Sequence, residues 1–318
     1  MRFAKEVRIQ PVRYAGWRDA LRLDNGTVEV VIVPSIARIM RYAFVGGGPN
    51  VLWDNPTTRG LPVRAGDWPN VGGDKVWPWP QDEWPRRQGR AWPPPSAADQ
   101  APHRAEVTGP DTVRLTSPVL AGYGVRIVRD IRLGPPGTTQ VMLRSRFEKV
   151  RSGADFPVAV WSITQVQVPD LLLARLLPGS SLPNAYKMLA PDAWKSIRAQ
   201  DGFLIAERPT ATSAKIGIDA DLLAGVRDGQ LFSQRTLATP PLGAVTPGER
   251  AQLYSQPDNE GDRARGITPY IEMELTGPLK TLRGAGESSP TLDVEWQLRR
   301  LRPGETDLKS VTALLRQV

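Results

Sequence analysis

The chain has 318 residues, 40% of them hydrophobic, enough for a substantial core in one large all-β domain or two ordinary ones. It has no cysteine and one histidine, His103, which excludes disulfides, thiolate nucleophiles and any site needing two histidines from one chain. The net charge is +8, but the 33 arginines and 8 lysines are spread along the chain with no long basic run, so they read as a solvated surface and no nucleic-acid partner is expected.

The start, Met1–Gln10, holds no apolar segment and no small-residue cleavage site, so it reads as carrying no export signal. As it stands the chain is expected in the cytoplasm, or in the periplasm or outside the cell if a leader has been removed. No apolar run of about 18 residues occurs anywhere, so no membrane partner is expected.

Residues 17–45 read as antiparallel strands. Leu21 and Leu23 alternate with Arg22 and Asp24, Asn25-Gly26 is a hairpin signal, and Thr27–Val33 is rich in β-branched residues. Pro34 ends that strand and Ile39–Val45 forms the next. Arg38, at its mouth, is either a solvated charge or a ligand-facing guanidinium suited to hydroxyls and carboxylates.

Residues 49–103 read as a long Pro/Trp-rich loop excursion. Six of the ten tryptophans and ten of the 31 prolines fall between 49 and 95. Its centre is Asn70–Pro85, with Gly72-Gly73, Asp74, Lys75, Trp77, Trp79, Gln81 and Trp84. That mixture suits neither a helix interior nor a central strand, because Pro78, Pro80 and Pro85 lack a backbone donor. The glycine pair allows a tight turn or a close backbone approach. The tryptophans argue for an ordered loop that is packed or that packs onto a ligand. Arg90–Asp99 is the most linker-like part. His103 after it reads as exposed and inert, with a titrating role as the alternative.

From 104 onward short β patterns return, at Ala105–Thr108, Thr112–Ser117, Val125–Leu133, Thr139–Phe147, Phe156–Val168, Phe203–Ala206, Ala214–Ile218, Gln230–Thr236, Tyr270–Leu275 and Leu292–Leu298. Asp221–Gly225 is at most one helical turn. Thr306–Gln317 reads as a C-terminal helix, with Leu308, Val311, Leu314 and Leu315 on one face. About fifteen strands with little helix and no βαβ alternation predict an all-β sandwich of large antiparallel sheets, as one domain over 1–318.

Alternation along Tyr270–Leu275 puts Ile271, Met273 and Leu275 on a core face and Tyr270, Glu272 and Glu274 on the other. The two carboxylates are then roughly 6.5–7 Å apart at Cα. Such a face is either solvated, with arginine partners, or a concave polar site where a carboxylate acts as base or holds hydroxyls. Trp161, Ile163 and Gln165 share one face of their strand, which is either core or a lining for a sugar.

Several stretches in order resemble a bacterial family of unknown function within the galactose mutarotase-like superfamily. They are Ala20–Gly26, Pro34–Ile39, Gly72–Pro78 with Gln81, Leu115–Pro118 with Gly124–Arg126, Trp161–Gln165, Lys215–Gly217, and Tyr270–Glu274 with Pro278. The resemblance covers 17 to about 300. It implies a β-supersandwich whose concave sheet binds a carbohydrate or sugar-like small molecule; separately, no cofactor is expected and no regular Asp/Asn metal-ligand loop is visible in the sequence. The late glutamate base of sugar mutarotases has its counterpart in Glu272, or in Glu274 one repeat on, and Arg38 matches a ligand-contacting arginine. The expected site is Glu272 as the base, with Arg38, Asp74, Lys75, Trp77, Gln81, Trp161, Gln165 and Glu274 contacting the substrate. The two histidines of sugar mutarotases have no counterpart: the first motif reads Asn70–Lys75 and the second strand Trp161–Gln165. The expected function is therefore sugar binding, with an epimerase- or hydrolase-type activity that lacks those histidines. The alternative is a non-catalytic sugar-recognition module. For hydrolysis, Asp74 or Glu83 facing Glu272 is the expected acid pair.

Overall fold

The computed structural model describes residues 6–63, 67–190, 194–239 and 245–318. Met1–Lys5, part of the stretch read above for an export signal, lie outside them.

The chain weaves between two sheets. β1 (Arg8–Tyr14), β2 (Trp17–Asp24), β3 (Val28–Val33) and β4 (Arg38–Phe44) form an antiparallel meander, with the Asn25-Gly26 turn between β2 and β3. β5 (Asp74–Trp79) continues that sheet, and α1 (Trp84–Gln88) and α2 (Ser96–Asp99) follow it. β6 (Arg104–Gly109), β7 (Thr112–Thr116), β8 (Val125–Leu133) and β9 (Val141–Lys149) start the second sheet. The long β10 (Phe156–Gln167) returns to the first.

After that the strands alternate between sheets. β11 (Leu171–Leu176), β13 (Ser196–Gln200), β14 (Phe203–Glu207), β16 (Ala220–Arg227), β17 (Gln230–Thr236) and β21 (Leu292–Arg300) join the second. β12 (Tyr186–Met188), β15 (Ala214–Ile218), β18 (Ala251–Ser255), β19 (Tyr270–Thr276) and β20 (Lys280–Leu282) join the first. α3 (Glu260–Ala264) precedes β19 and α4 (Leu308–Leu315) ends the chain. Among the described residues the first sheet has 11 strands, in the order β1-β2-β3-β4-β5-β10-β19-β18-β15-β12 with β20 beside β10. The second has 10, in the order β13-β14-β11-β16-β17-β21-β9-β8-β7-β6. No helix among them is long and apolar enough to cross a membrane.

The main core lies between the sheets, where Ile271, Met273 and Leu275 pack with Ile127, Phe147, Phe232 and Trp296. A second cluster lies outside the second sheet, where Val311 and Leu315 of α4 cover Leu173, Ile205, Leu222, Ala224 and Val226. Burying those two side chains contributes about 1.5–3 kcal/mol each.

The short helices α1 and α2 lie where loop and linker were expected, and two strands replace other readings. Asp74–Trp79 is a strand in the middle of the first sheet with every residue buried, where a loop was expected. Pro78 fits there because β5 is laddered to β10 along its length but meets β4 only through Asp74 and Ile39. No β4 residue needs an N–H from Pro78 on that edge. Ala220–Arg227 is also a strand, where a helical turn at Asp221–Gly225 was expected. Its alternation is hidden because both faces are covered: Leu223 points into the main core while Leu222 and Ala224 point at α4.

Candidate functional site

Five neighbouring strands, β5, β10, β19, β18 and β15, build the floor of one cleft. The register sets Gln165 and Tyr254 on either side of Glu272, with Lys215 beyond Tyr254. One repeat along, Ile163 and Gln252 flank Glu274, with Lys75 beyond Ile163. Trp161 lies opposite Trp77. Alternation therefore gives one sheet face two carboxylates, two ammonium groups, two amides and two indoles. The cleft above it has a volume of about 630 Å³. Its walls come from Trp53, Asn55, Trp68, Asn70, Gln81 and Trp92, joined by Asp262, Arg265 and Ile267.

The floor is held by two carboxylate–lysine pairs. Glu272 Oε1 accepts from Lys75 Nζ at 3.1 Å and from Gln165 Nε2 at 2.8 Å. Glu274 Oε2 accepts from Lys215 Nζ at 2.8 Å and from Trp161 Nε1 at 2.7 Å. Each ammonium also lies 4.6 Å from an indole centroid, Lys75 over Trp77 and Lys215 over Trp161. Those two rings meet edge to face with centroids 5.5 Å apart.

Glu272 and Lys215 open onto the cleft, whereas Glu274 is fully buried beneath it. Burial pushes the Glu274 carboxyl above its ordinary value; Lys215 opposes the rise and Glu272 adds to it. Burial likewise raises Tyr254 to about 12 and Tyr270 well above its usual range. Tyr270 accepts from Asn70 Nδ2 at 2.9 Å and lies 4.4 Å, centroid to centroid, from Trp53. Among the described residues no group of three or more side chains converges to hold a metal.

Of the residues singled out from sequence, Trp77, Gln81, Trp161 and Glu272 line the cleft. Lys75, Gln165 and Glu274 bind the floor together from just beneath it.

Arg38 and Asp74 are elsewhere, which corrects two expected ligand contacts. Asp74 sits on the opposite face of β5, between the sheets, in an ion pair with Arg129 of β8. Its Oδ2 lies 2.8 Å from Thr164 Oγ1, which lies at the same distance from Gln234 Oε1 of β17. Arg38 is 1% exposed and donates from Nη2 to Asp99 Oδ1 and from Nη1 to Asp99 O, both at 2.5 Å. It reaches the cleft only through Asp99, which accepts from Trp77 Nε1 at 2.7 Å and from Trp68 Nε1 at 2.9 Å.

Neither Asp74 nor Glu83 joins Glu272 in lining the cleft, so the expected acid pairs are not assembled there. Asp74 points away, and Glu83 is tied to Arg86 and Arg87 on α1. His103 is buried, not exposed, with its Nε2 3.1 Å from Ala97 O, and burial lowers its pKa to about 4.

Sequence reasoning missed Trp53, Trp68, Trp92, Asp99, Tyr254, Asp262 and Arg265. Only the tryptophans carried a signal, their crowding between residues 49 and 95. Asp99 lay in the part read as linker.

The two-sheet architecture is shared with known structures. A galactose mutarotase-like protein from Lactobacillus casei superposes with a TM-score of 0.54 at 12% identity, covering 88% of this chain and 100% of that one. The fold is galactose mutarotase-like. A galactose mutarotase related enzyme from Lactobacillus acidophilus superposes with a TM-score of 0.50 at 9% identity, over 89% of this chain and 99% of that one. A TPR-domain containing protein from Parabacteroides distasonis gives a TM-score of 0.57 at 15% identity. There 91% of this chain is matched, spanning about half (48%) of that protein. No family model matches the chain, and no curated protein matches it in sequence.

Proposed function

We propose that the protein binds a carbohydrate in the tryptophan-walled cleft, with Glu272 as the group that engages a sugar hydroxyl. The observation that carries this reading is the position of Glu272: a carboxylate on the cleft floor, bordered by Trp77, Trp161 and Tyr254 and steadied by Lys75 and Gln165. Aromatic walls with a few convergent polar groups suit a ligand whose faces are apolar and whose edges are hydroxyls. A volume of about 630 Å³ lies within the usual range for small-ligand sites. The mutarotase-like fold adds weight to a sugar over other polyols.

If the site turns over its ligand, Glu272 is the base and the reaction is of epimerase type. Paired-acid hydrolysis is less well supported. The other acid lining the cleft, Asp262, is held by Arg265 at 2.5 Å. A recognition module without catalysis is the second reading. It is favoured by the saturation of Glu272 Oε1 with two donors and by the absence of the mutarotase histidines.

Titration calorimetry with reducing sugars, paired with NMR of anomer interconversion, tests both. Binding with interconversion that Glu272→Gln abolishes is the result expected of an enzyme. Binding without interconversion selects the recognition module. No binding by any aldose or disaccharide overturns the carbohydrate reading.

A further inference from the structure

Four of the five cleft tryptophans turn their indole N–H groups into the protein. Trp53 Nε1 donates to Thr268 O at 2.9 Å, Trp161 Nε1 to Glu274 Oε2 at 2.7 Å, Trp77 Nε1 to Asp99 Oδ1 at 2.7 Å and Trp68 Nε1 to Asp99 Oδ2 at 2.9 Å. An indole is a donor only, and burying it without an acceptor costs about 1–3 kcal/mol. With these donors satisfied internally, what these indoles offer a ligand is ring surface, most of it on the partly exposed Trp68, since Trp53, Trp77 and Trp161 are only 1%, 4% and 3% exposed. Hydrogen bonds to it must come from the floor.

Asp99 stands out because it serves two tryptophans of different origin. Trp77 belongs to β5 and is fixed by the sheet. Trp68 belongs to the irregular chain before it, and its other aromatic neighbour is Trp92, with centroids 4.6 Å apart. Asp99 is the last residue of α2 and 1% exposed. It gives one oxygen to each indole, and Arg38 of β4 compensates its charge from behind. A buried carboxylate would be costly alone; paired and doubly hydrogen-bonded it becomes a rigid spacer.

We propose that Asp99 is a positioning residue of the cleft. It fixes Trp68 at a set distance from Trp77 and so sets the width of the aromatic wall that a ligand meets. Arg38 acts through Asp99 and does not touch the ligand. The inference rests on the carbohydrate reading for its effect on binding, but not for its effect on the tryptophans.

The test is Asp99→Asn in protein carrying ¹⁵N-labelled tryptophan, with the Trp68 and Trp77 indole resonances assigned from Trp68→Phe and Trp77→Phe. If the single change unfolds the chain by stranding Arg38, the charge-neutral double variant Arg38→Gln with Asp99→Asn replaces it. The Trp68 and Trp77 resonances should move upfield while that of Trp296, whose N–H donates to Gln234 Oε1 between the sheets, stays in place. Affinity for the tightest binder among D-glucose, D-galactose and lactose should fall by about tenfold, the loss of roughly one hydrogen bond's worth of organisation. Unmoved Trp68 and Trp77 resonances overturn the positioning role. Moved resonances with unchanged affinity overturn its link to the ligand. If the unaltered protein binds none of these three sugars, the resonances alone decide the positioning role.

Discussion

Trp161 and Lys215 donate to the same oxygen of Glu274, Oε2, at 2.7 and 2.8 Å, and leave Oε1 buried without a hydrogen-bond partner. One carboxylate thus locks the Trp161 ring and the Lys215 ammonium to the floor of the cleft. The arrangement has a pH signature. Burial raises the Glu274 pKa in the folded chain above its ordinary 4.5, so the folded state holds that proton more tightly than the unfolded state does. Its contribution to stability is then greatest below pH 4.5 and declines as pH rises through the folded value. Glu274→Gln should flatten that decline. Thermal melts of both proteins between pH 4 and 8 check it, since the difference between them isolates this group; parallel curves would contradict it.

His103 works in the opposite sense. It packs beneath α2, with its backbone N–H on Pro34 O at 2.9 Å and its Nε2 against Ala97 O. Burial lowers its pKa from 6.5 to about 4, and Arg38 and Arg129 push the same way against the Ala97 carbonyl. The unfolded chain therefore takes up the proton first. The stability from a neutral His103 is complete above pH 6.5 and is lost as pH falls towards 4. The full loss is roughly 3 kcal/mol. Between pH 7.5 and 4.5 the unaltered protein should lose more stability in urea titrations than His103→Gln does. Equal losses would mean that the imidazole is not held neutral.

Much of this was readable from local pattern, and the exceptions share a cause. The Asn25-Gly26 turn is a purely local signal, the C-terminal helix has one face in the core and one outside it, and Tyr270–Leu275 alternates apolar core residues with polar ones under the cleft, so each survives in sequence. β5, β11 and β16 are covered on both sides, and alternation vanishes there. The three prolines of Asn70–Pro85 then outweighed the remaining signal. The site divides along the same line. Glu272 follows from face assignment within its strand, whereas alternation left the Trp161 face open between core and sugar lining. Asp99 joins the cleft only through chain separations of 61, 31 and 22 residues, to Arg38, Trp68 and Trp77, which no local pattern encodes.

Asp74 offers a test of its reassignment from the cleft to the interior. It and Arg129 side chains are 0% and 4% exposed, and their ion pair joins the two sheets. Asp74→Ala would leave the Arg129 charge buried without its partner, at a cost of about 3–5 kcal/mol. The urea midpoint should fall accordingly. Sugar affinity, measured where the variant is still folded, should be unchanged, because the side chain faces away from the cleft. A loss of affinity in folded protein would return Asp74 to the binding site.

Gly72-Gly73 carries the sharpest backbone prediction. Both residues have positive φ, +94° and +73°. A Cβ on Gly72 would lie 2.4 Å from Trp53 O, and one on Gly73 would lie 2.4 Å from Ile39 O and 2.7 Å from Met40 Sδ. The pair thus lets the chain squeeze between the Trp53 segment and β4 just before β5 places Lys75 and Trp77 in the site. Gly89 has a similar φ of +76° with nothing within 4 Å of its Cβ position, so it separates the two effects. Gly89→Ala should cost only the left-handed penalty, about 1–2 kcal/mol. Gly73→Ala should cost that plus displacement of β4 or β5, and should also weaken ligand binding by shifting Lys75 against Glu272. Chemical denaturation of both variants decides it. Equal losses of stability would show that conformation alone, and not the close approach of β4, requires glycine at 73.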